Sequence, residues 1–518
     1  MSDTTKFIEA INAGYTFSAG SITLGGAVLD GSVVKGTFVK APLSTMNRHG
    51  LIAGATGTGK TKTLQKVVEE LSKNGVPTLI MDIKGDLSGI SQPGVENPKI
   101  TDRHTKIGLP WTTAALPVEF VTISGEKGAR MRATLTEFGP VLFSKILELN
   151  DTQGGVVSLI FKYCDDNKLP LLDLKDFKQA VQYVTNEGKD EVEKDYGSIS
   201  TASTGTIIRK IIELEQQGAE LIFGEKSFEI EDLIRTKDGK GYVNVLRLTD
   251  MQTKPKLFST FMMSLLGELY EKLPEEGDVI KPKLCIFIDE AHLMFDQASQ
   301  TLLNQMETII KLIRSKGVGI YFITQNPMDI PASILGQLGL KIQHALRAFT
   351  AIDRKAIKVA SQNYPLTDFY TVDELLTTLG MGEAIITVLN EKGNPTPLVH
   401  CMMCAPETRM DTITDGELDA IVSKSEIASK YNEVIDRDSA SEMLKRKIET
   451  AAQQTQTNQP TEQSNNQKTQ ESPSESKKDD SNFIEDLSKN TMVRQVGKSL
   501  VTEVTRGIFG MLGIKMKR

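Results

Sequence analysis

The chain has 518 residues, 39% of them hydrophobic and 25% charged, with a formal net charge of −7. That length suits one large core with appended pieces, and the composition is that of an ordinary soluble globular protein. The negative balance excludes a surface coated in basic residues for nucleic acid, while a local basic channel stays compatible with it.

The first twenty residues lack a basic region followed by a continuous apolar run, so no secretory signal is expected. No apolar run reaches the ~18 residues a spanning helix needs. From Tyr15 to Lys40 apolar residues alternate with glycines, which predicts short strands and hairpins. Residues 1–48 are thus expected to be a short β-rich segment decorating the core.

From His49 the pattern changes to strand, glycine loop and helix. Leu51-Ile52-Ala53 leads into Gly54-Ala55-Thr56-Gly57-Thr58-Gly59-Lys60-Thr61, a complete match to G-x-x-x-x-G-K-[ST]. Small residues let backbone N–H groups curve around a β-phosphate, and the following helix points partial positive charge at it. Lys60 is placed to reach the β- and γ-phosphates and Thr61 to ligate magnesium, with Lys62 completing the nucleotide-binding set. ATP and Mg²⁺ are the cofactors this implies; a glycine loop without phosphate is the bland alternative.

Thr61 to Asn74 carries helical spacing, closed by Gly75, and Val76 to Ile83 reads as a second buried strand. The βαβ alternation predicts an α/β fold with a mostly parallel sheet, that of a P-loop NTPase. Asp82 ends the second strand at the same edge. It either positions magnesium or water, or stabilises its own loop.

Between about Gly85 and Lys283 the middle stretches have helical apolar spacing, which predicts a helical insertion over about 126–240. Core strands are expected again at 241–248, 283–289, 318–324, 340–346 and 383–389. Of these, Leu284-Cys-Ile-Phe-Ile-Asp289-Glu290-Ala-His292 carries chemistry. A buried central strand delivers Asp289 to hold magnesium and Glu290 to polarise the attacking water. An apolar run ending in Asp-Glu is weak evidence alone and strong beside a complete phosphate loop. The next strand ends Thr324-Gln325-Asn326-Pro327, which places Gln325 as a γ-phosphate sensor or, alternatively, as a cap of the turn.

Cys401-Met-Met-Cys404 follows His400, but a structural zinc needs four ligands and no second Cys/His pair stands at suitable spacing. Two thiols at a strand end is the simpler expectation, in a reducing, cytoplasmic setting. Residues 411–449 read as charged helices. Residues 450–482 form a polar stretch with no Val, Ile, Leu, Met or aromatic residue from 451 on, which predicts a disordered linker. Residues 483–518 regain helical apolar spacing with Lys489, Arg494, Lys498, Arg506, Lys515, Lys517 and Arg518. Such a basic amphipathic helix suits docking on a partner protein, nucleic acid or a membrane surface, or packing on its own oligomer.

The series GATGTGKT, IMDIKGDLSG, IFIDEAH, the helix ending Ile313-Arg314-Ser315-Lys316-Gly317, and GIYFITQNP resembles the HerA/FtsK group of ring-forming, DNA-pumping ATPases. The likeness is greatest to the bacterial HerA-like helicase branch, with IKGDLSG and EFGPVLFSKILELNDTQGG, and covers about His49 to Leu389. It implies a RecA-like core over about 49–410, a homo-oligomeric ring, a hexamer by family likeness, and DNA as the track. It also implies that Arg314, 25 residues after Asp289, is an arginine finger lent by a neighbouring subunit. A solvated charge at a helix C-terminus is the alternative for Arg314. Arg347 and Arg354 are second choices for nucleotide or intersubunit contacts. One departure is plain: only about 48 residues precede the core, against a sizeable β-barrel in archaeal members, so barrel-mediated partner binding is not expected. A protein-remodelling or secretion-type ATPase, or a nucleotide-gated scaffold, is the competing function.

Overall fold

The computed structural model describes residues 3–457 apart from 278, 296–299, 349, 434 and 436. The chain divides into two units, Met1–Arg446 and Lys447–Arg518. The architecture below is that of the first; of the second, only the end of the helix Ala440–Thr457 is described. The expected linker from 458 onward and the basic helix 483–518 lie outside the described residues.

The strands, in chain order, are β1 (Ser21–Leu29), β2 (Ser32–Pro42), β3 (Gly50–Ala53), β4 (Thr78–Asp82), β5 (Val118–Thr122), β6 (Ala129–Arg130), β7 (Thr236–Lys237), β8 (Lys240–Gly241), β9 (Val243–Arg247), β10 (Leu284–Ile288), β11 (Val318–Thr324), β12 (Leu340–Gln343), β13 (Glu383–Thr387) and β14 (Val399–Met403). Among the described residues twelve of them build one sheet in the order β2-β1-β14-β13-β12-β3-β11-β10-β4-β9-β5-β6, and β7 and β8 form a separate hairpin.

From β12 to β6 every pairing is parallel. Covered on both faces, such strands become continuous apolar runs. Thus Leu284 to Ile288 and Val318 to Thr324 are buried throughout. The remaining four strands, β13, β14, β1 and β2, add an antiparallel wing at one edge. The N-terminal hairpin therefore belongs to the same sheet as the phosphate loop.

The segment 1–48 also holds something the alternation did not suggest. It opens with helix α1 (Asp3–Tyr15), whose buried residues Phe7, Ile11 and Tyr15 recur every four positions on one face. The Tyr15 hydroxyl donates to the carbonyl of Pro397 at 2.7 Å, fixing the helix to the antiparallel wing.

Helix α2 (Lys60–Lys73) buries Leu64, Val67, Val68 and Leu71 against the sheet. Helix α3 (Pro98–Ile107) begins at an Asn97 cap whose side chain accepts from the N–H groups of Lys99 and Ile100. The stretch between β6 and β7 carries five helices, α4 (Leu135–Ile146), α5 (Asp151–Asp166), α6 (Leu174–Thr185), α7 (Lys189–Tyr196) and α8 (Thr201–Gln216). Capping boxes start three of them: Thr134 with Glu137, Asn150 with Gln153, and Asp173 with Asp176. Phe143 packs edge-on against Phe177 at the centre of this group. Helices α9 (Pro255–Lys272), α10 (His292–Phe295) and α11 (Gln300–Ile313) pack together, and α4 touches both α9 and α11.

Candidate active site

Strand β3 opens into the glycine loop at the carboxyl ends of the parallel strands, where open α/β sheets gather their ligands. Glycine is required there by space as well as conformation. Gly54 has φ +151°, and a Cβ on it would lie 2.6 Å from the Cβ of His344. Gly59 has φ +113°, and a Cβ on it would lie 3.2 Å from the Gly382 backbone. The loop is tied to its neighbours by Ala55 N–H donating to the Ala345 carbonyl at 2.8 Å and Gly382 N–H donating to the Thr58 carbonyl at 2.9 Å. The Thr58 hydroxyl closes the loop on itself, donating to the Ala55 carbonyl at 2.7 Å.

Lys60 folds its ammonium onto the same Ala55 carbonyl at 3.2 Å. Burial lowers its pKa, and the nearby Lys84 adds to that, against the pull of Glu290 and Asp289. A polyanionic phosphate would outcompete a carbonyl for this cation. Lys62, placed in the nucleotide-binding set, has its side chain engaged elsewhere: its ammonium donates to the carbonyl of Met410.

Strand β10 delivers Asp289 and Glu290 to this edge, both buried. Burial raises the Asp289 carboxyl to about 6, opposed by Lys84 and assisted by Glu290. Its Oδ2 is buried with no hydrogen-bond partner among the described residues. An orphaned carboxylate oxygen beside a phosphate loop fits a hard cation, which takes oxygen ligands. Among the described residues no group of three or more His, Cys, Asp and Glu could hold a metal ion. Thr61 and Asp289 are the side chains that would hold magnesium.

Glu290 has φ +45°, a left-handed conformation uncommon for a residue with a Cβ and concentrated at functional sites. Its Oε1 pairs with the Lys84 ammonium, and His292 Nδ1 lies 3.2 Å from Oε2. Burial alone would raise this carboxyl; the bond and charge of Lys84 outweigh it, and the pKa lies below the ordinary value. Gln325 follows β11 on the neighbouring strand, and its Oε1 accepts from the Thr56 hydroxyl at 3.4 Å. Asp82 uses both oxygens on its own loop, accepting from Gly85 N–H at 2.8 Å and Leu87 N–H at 3.2 Å.

The structure therefore gathers the glycine loop, Asp289, Glu290 and Gln325, and sets the arginines apart from them. Arg314 is exposed where α11 ends, and its carbonyl accepts from Asn47 Nδ2 at 3.2 Å. That is the amino edge of β11, at the far end of the strand from Gln325. Arg347 follows β12 and Arg354 lies on the helix Ala351–Ser361; both are exposed. Cys401 and Cys404 are buried thiols, and His400 Nε2 faces Glu383 Oε2 at 3.1 Å.

Three contributors escape motif reading. Lys84 lies inside the Met81-Asp-Ile-Lys-Gly-Asp86 motif, which was its only signal. His344 packs under the loop with Nδ1 bonded to the Glu383 carbonyl at 2.7 Å, and burial lowers its pKa to about 4. Arg103, on α3, grips the turn that carries Gly382. Nothing in its sequence neighbourhood points there.

A parallel sheet, a complete phosphate-loop motif after β3 and a buried Asp-Glu pair after β10, one strand removed from it, define a P-loop ATPase. Comparison with known proteins narrows this further. The family model "Helicase HerA-like C-terminal" matches residues 30–518, and the chain belongs to that family. It is thus an ATP-hydrolysing motor of the HerA-like helicase type. It is 24% identical over 377 residues to "DNA double-strand break repair helicase HerA" of Sulfolobus acidocaldarius, spanning 71% of this chain and 67% of that protein. The protein of the same name from Saccharolobus solfataricus is 25% identical over 354 residues, spanning 67% of this chain and 63% of that one. Among solved structures, the bacterial conjugative coupling protein TrwBdeltaN70 superposes with a TM-score of 0.51 at 12% identity. That match covers 79% of this chain and 94% of the other, a likeness of fold.

Proposed function

We propose that this chain works as a homo-oligomeric ring, a hexamer, that moves along DNA in the cytoplasm by hydrolysing Mg·ATP. The observation that carries the ring is the position of Arg314. Strand β11 separates it from Gln325, and seven residues at about 3.3 Å each span roughly 23 Å. Arg314 cannot reach the phosphates of its own subunit across that distance. It stands exposed on the outer edge, suited to enter a neighbour's site and stabilise charge on the transferring phosphoryl group.

Within one subunit the roles follow from placement. The glycine loop and Lys60 bind the phosphates, and Glu290 orients and deprotonates the attacking water. Gln325 touches the loop through Thr56 and would sense loss of the γ-phosphate. Thr61 and Asp289 would hold magnesium, which would neutralise charge developing on the phosphates. Arg347 and Arg354 remain candidates for the intersubunit face. DNA as the track is supported by the names of the HerA relatives, and contact with a phosphate backbone needs no sequence specificity. The basic stretch 483–518 is the proposed docking element for a partner.

Measuring ATP turnover with and without duplex and single-stranded DNA tests this. Turnover should rise with DNA, and binding should weaken steeply with salt. Turnover indifferent to DNA, together with no salt-dependent binding, would leave a protein-acting ATPase or a nucleotide-gated scaffold.

A further inference from the structure

We infer that Lys84 is a γ-phosphate-reading residue that holds Glu290 in the absence of ATP and exchanges that carboxylate for the γ-phosphoryl group when ATP binds. The inference rests on ATP hydrolysis at this site and is independent of what the ring moves along.

Several observations converge on it. The Lys84 ammonium pairs with Glu290 Oε1, the carboxylate that must accept a proton from water. The ammonium on Oε1 makes the whole carboxylate a weaker base while the pair lasts, and Oε2, which has no hydrogen-bond partner among the described residues, regains full basicity only when Lys84 leaves. The pair is also unequal in access: the Lys84 side chain is 39% exposed and that of Glu290 only 9%. The lysine can therefore be drawn away from the cleft side while the glutamate stays in place.

The base of Lys84 is fixed and its arm is long. Asp82 ties the chain across Lys84, accepting from the N–H groups of Gly85 and Leu87 just beyond it, so that the backbone stays and only the four-carbon stem need swing. Glu290 is held from the other side by its left-handed backbone and by the Ala291 N–H, which donates to the Ile323 carbonyl at 2.9 Å. Lys84 and Lys60 also stand near enough to act on one another electrostatically, with Asp289 and Glu290 acting on both. A γ-phosphoryl group seated by Lys60 brings a higher negative charge than a carboxylate, so it outcompetes Glu290 for Lys84. ADP lacks that group and leaves the pair intact. ATP binding and release of the base become one event.

The test compares affinities of the full-length protein for ADP and for a non-hydrolysable ATP analogue, with kcat and KM for ATP. Lys84→Ala should leave ADP affinity within about twofold while analogue affinity falls about tenfold, the loss of one charge-assisted hydrogen bond. kcat should fall as well, and Lys84→Arg should restore most of the ATP-over-ADP preference. Unchanged ADP binding also reports that the variant is folded. Equal weakening of both nucleotides would make Lys84 a purely structural partner of Glu290. A rise in kcat with an unchanged preference would make it a plain inhibitor of the base. Either result overturns the proposal, and neither bears on whether DNA stimulates the wild-type protein.

Discussion

The N–H of Gly382 donates to the carbonyl of Thr58 at 2.9 Å, tying the phosphate loop to the turn that opens strand β13. Arg103 grips the same turn from outside, donating to the carbonyls of Gly382 at 3.0 Å, Met403 at 3.1 Å and Met381 at 2.7 Å. The loop's curvature thus depends on a residue that has no place in the motif.

Arg103→Ala should therefore weaken nucleotide binding about fivefold to tenfold and cost about 2 kcal/mol of stability, the scale for losing hydrogen bonds from a charged group. Arg103→Lys should recover only part, since a single ammonium cannot reproduce a planar fork spanning three carbonyls. Titration with an ATP analogue and thermal unfolding check both; unchanged affinity in Arg103→Ala would show the turn to be self-supporting.

Glu290→Gln keeps the size of the side chain and removes the base. ATP should bind with near-normal affinity while turnover falls about 10²- to 10⁴-fold, the usual contribution of a positioned general base. Lys60→Ala should instead lose nucleotide binding itself. If Glu290→Gln retained most of the turnover, the proton would leave by another route.

What the sequence made legible was consecutive. The phosphate loop, Asp289-Glu290 and Gln325 are each carried by a run of neighbours whose apolar pattern or spacing announces a strand tip. Helix α2 showed its buried face in the same way. The antiparallel direction of β13 and β14 was not legible, because alternation marks a strand and not the sense of its partner. Nor was the grip of Arg103 on Gly382, which joins positions 279 residues apart. Lys84 stood in plain view, but its role depends on how the loop after β4 turns back toward β10, and no periodicity encodes that turn. Phe7, Ile11 and Tyr15 did carry a helical pattern; the glycine-rich alternation following them drew the whole segment toward a β assignment.

Acid should destabilise the fold through His49. Its Nε2–H donates to the Ile310 carbonyl at 2.7 Å, and its Nδ1 accepts from Ile320 N–H at 3.0 Å, so both ring nitrogens are committed in the neutral form. Burial lowers its pKa to about 4. The unfolded imidazole takes up its proton below about 6.5, and the native one only near 4. Between those values the unfolded state binds more protons, so stability is full above 6.5 and declines as pH falls through the window. The contribution at stake is on the order of 3 kcal/mol. His49 has φ +56°, a conformation asparagine tolerates, so His49→Asn should lower Tm at neutral pH and flatten its fall toward pH 4. An unaltered slope would assign the acid sensitivity to other groups, His344 first among them.

Arg314 offers the sharpest check on assembly. Within a subunit it lies a full strand length from Gln325, so Arg314→Ala should leave ATP binding intact while turnover drops, by about 10³-fold if it acts as a finger. The Glu290→Gln protein fails for the complementary reason, having its arginine but no base. Mixed and allowed to exchange subunits, the two inactive proteins should regain activity. A site is complete wherever a subunit with Glu290 meets a neighbour with Arg314, roughly one interface in four at equal mixing of a closed ring. Recovery toward a quarter of wild-type turnover would demonstrate a shared site. Turnover that stays at the level of the separate variants would return Arg314 to the surface of its own helix, where a cation near a C-terminus is favoured without any partner.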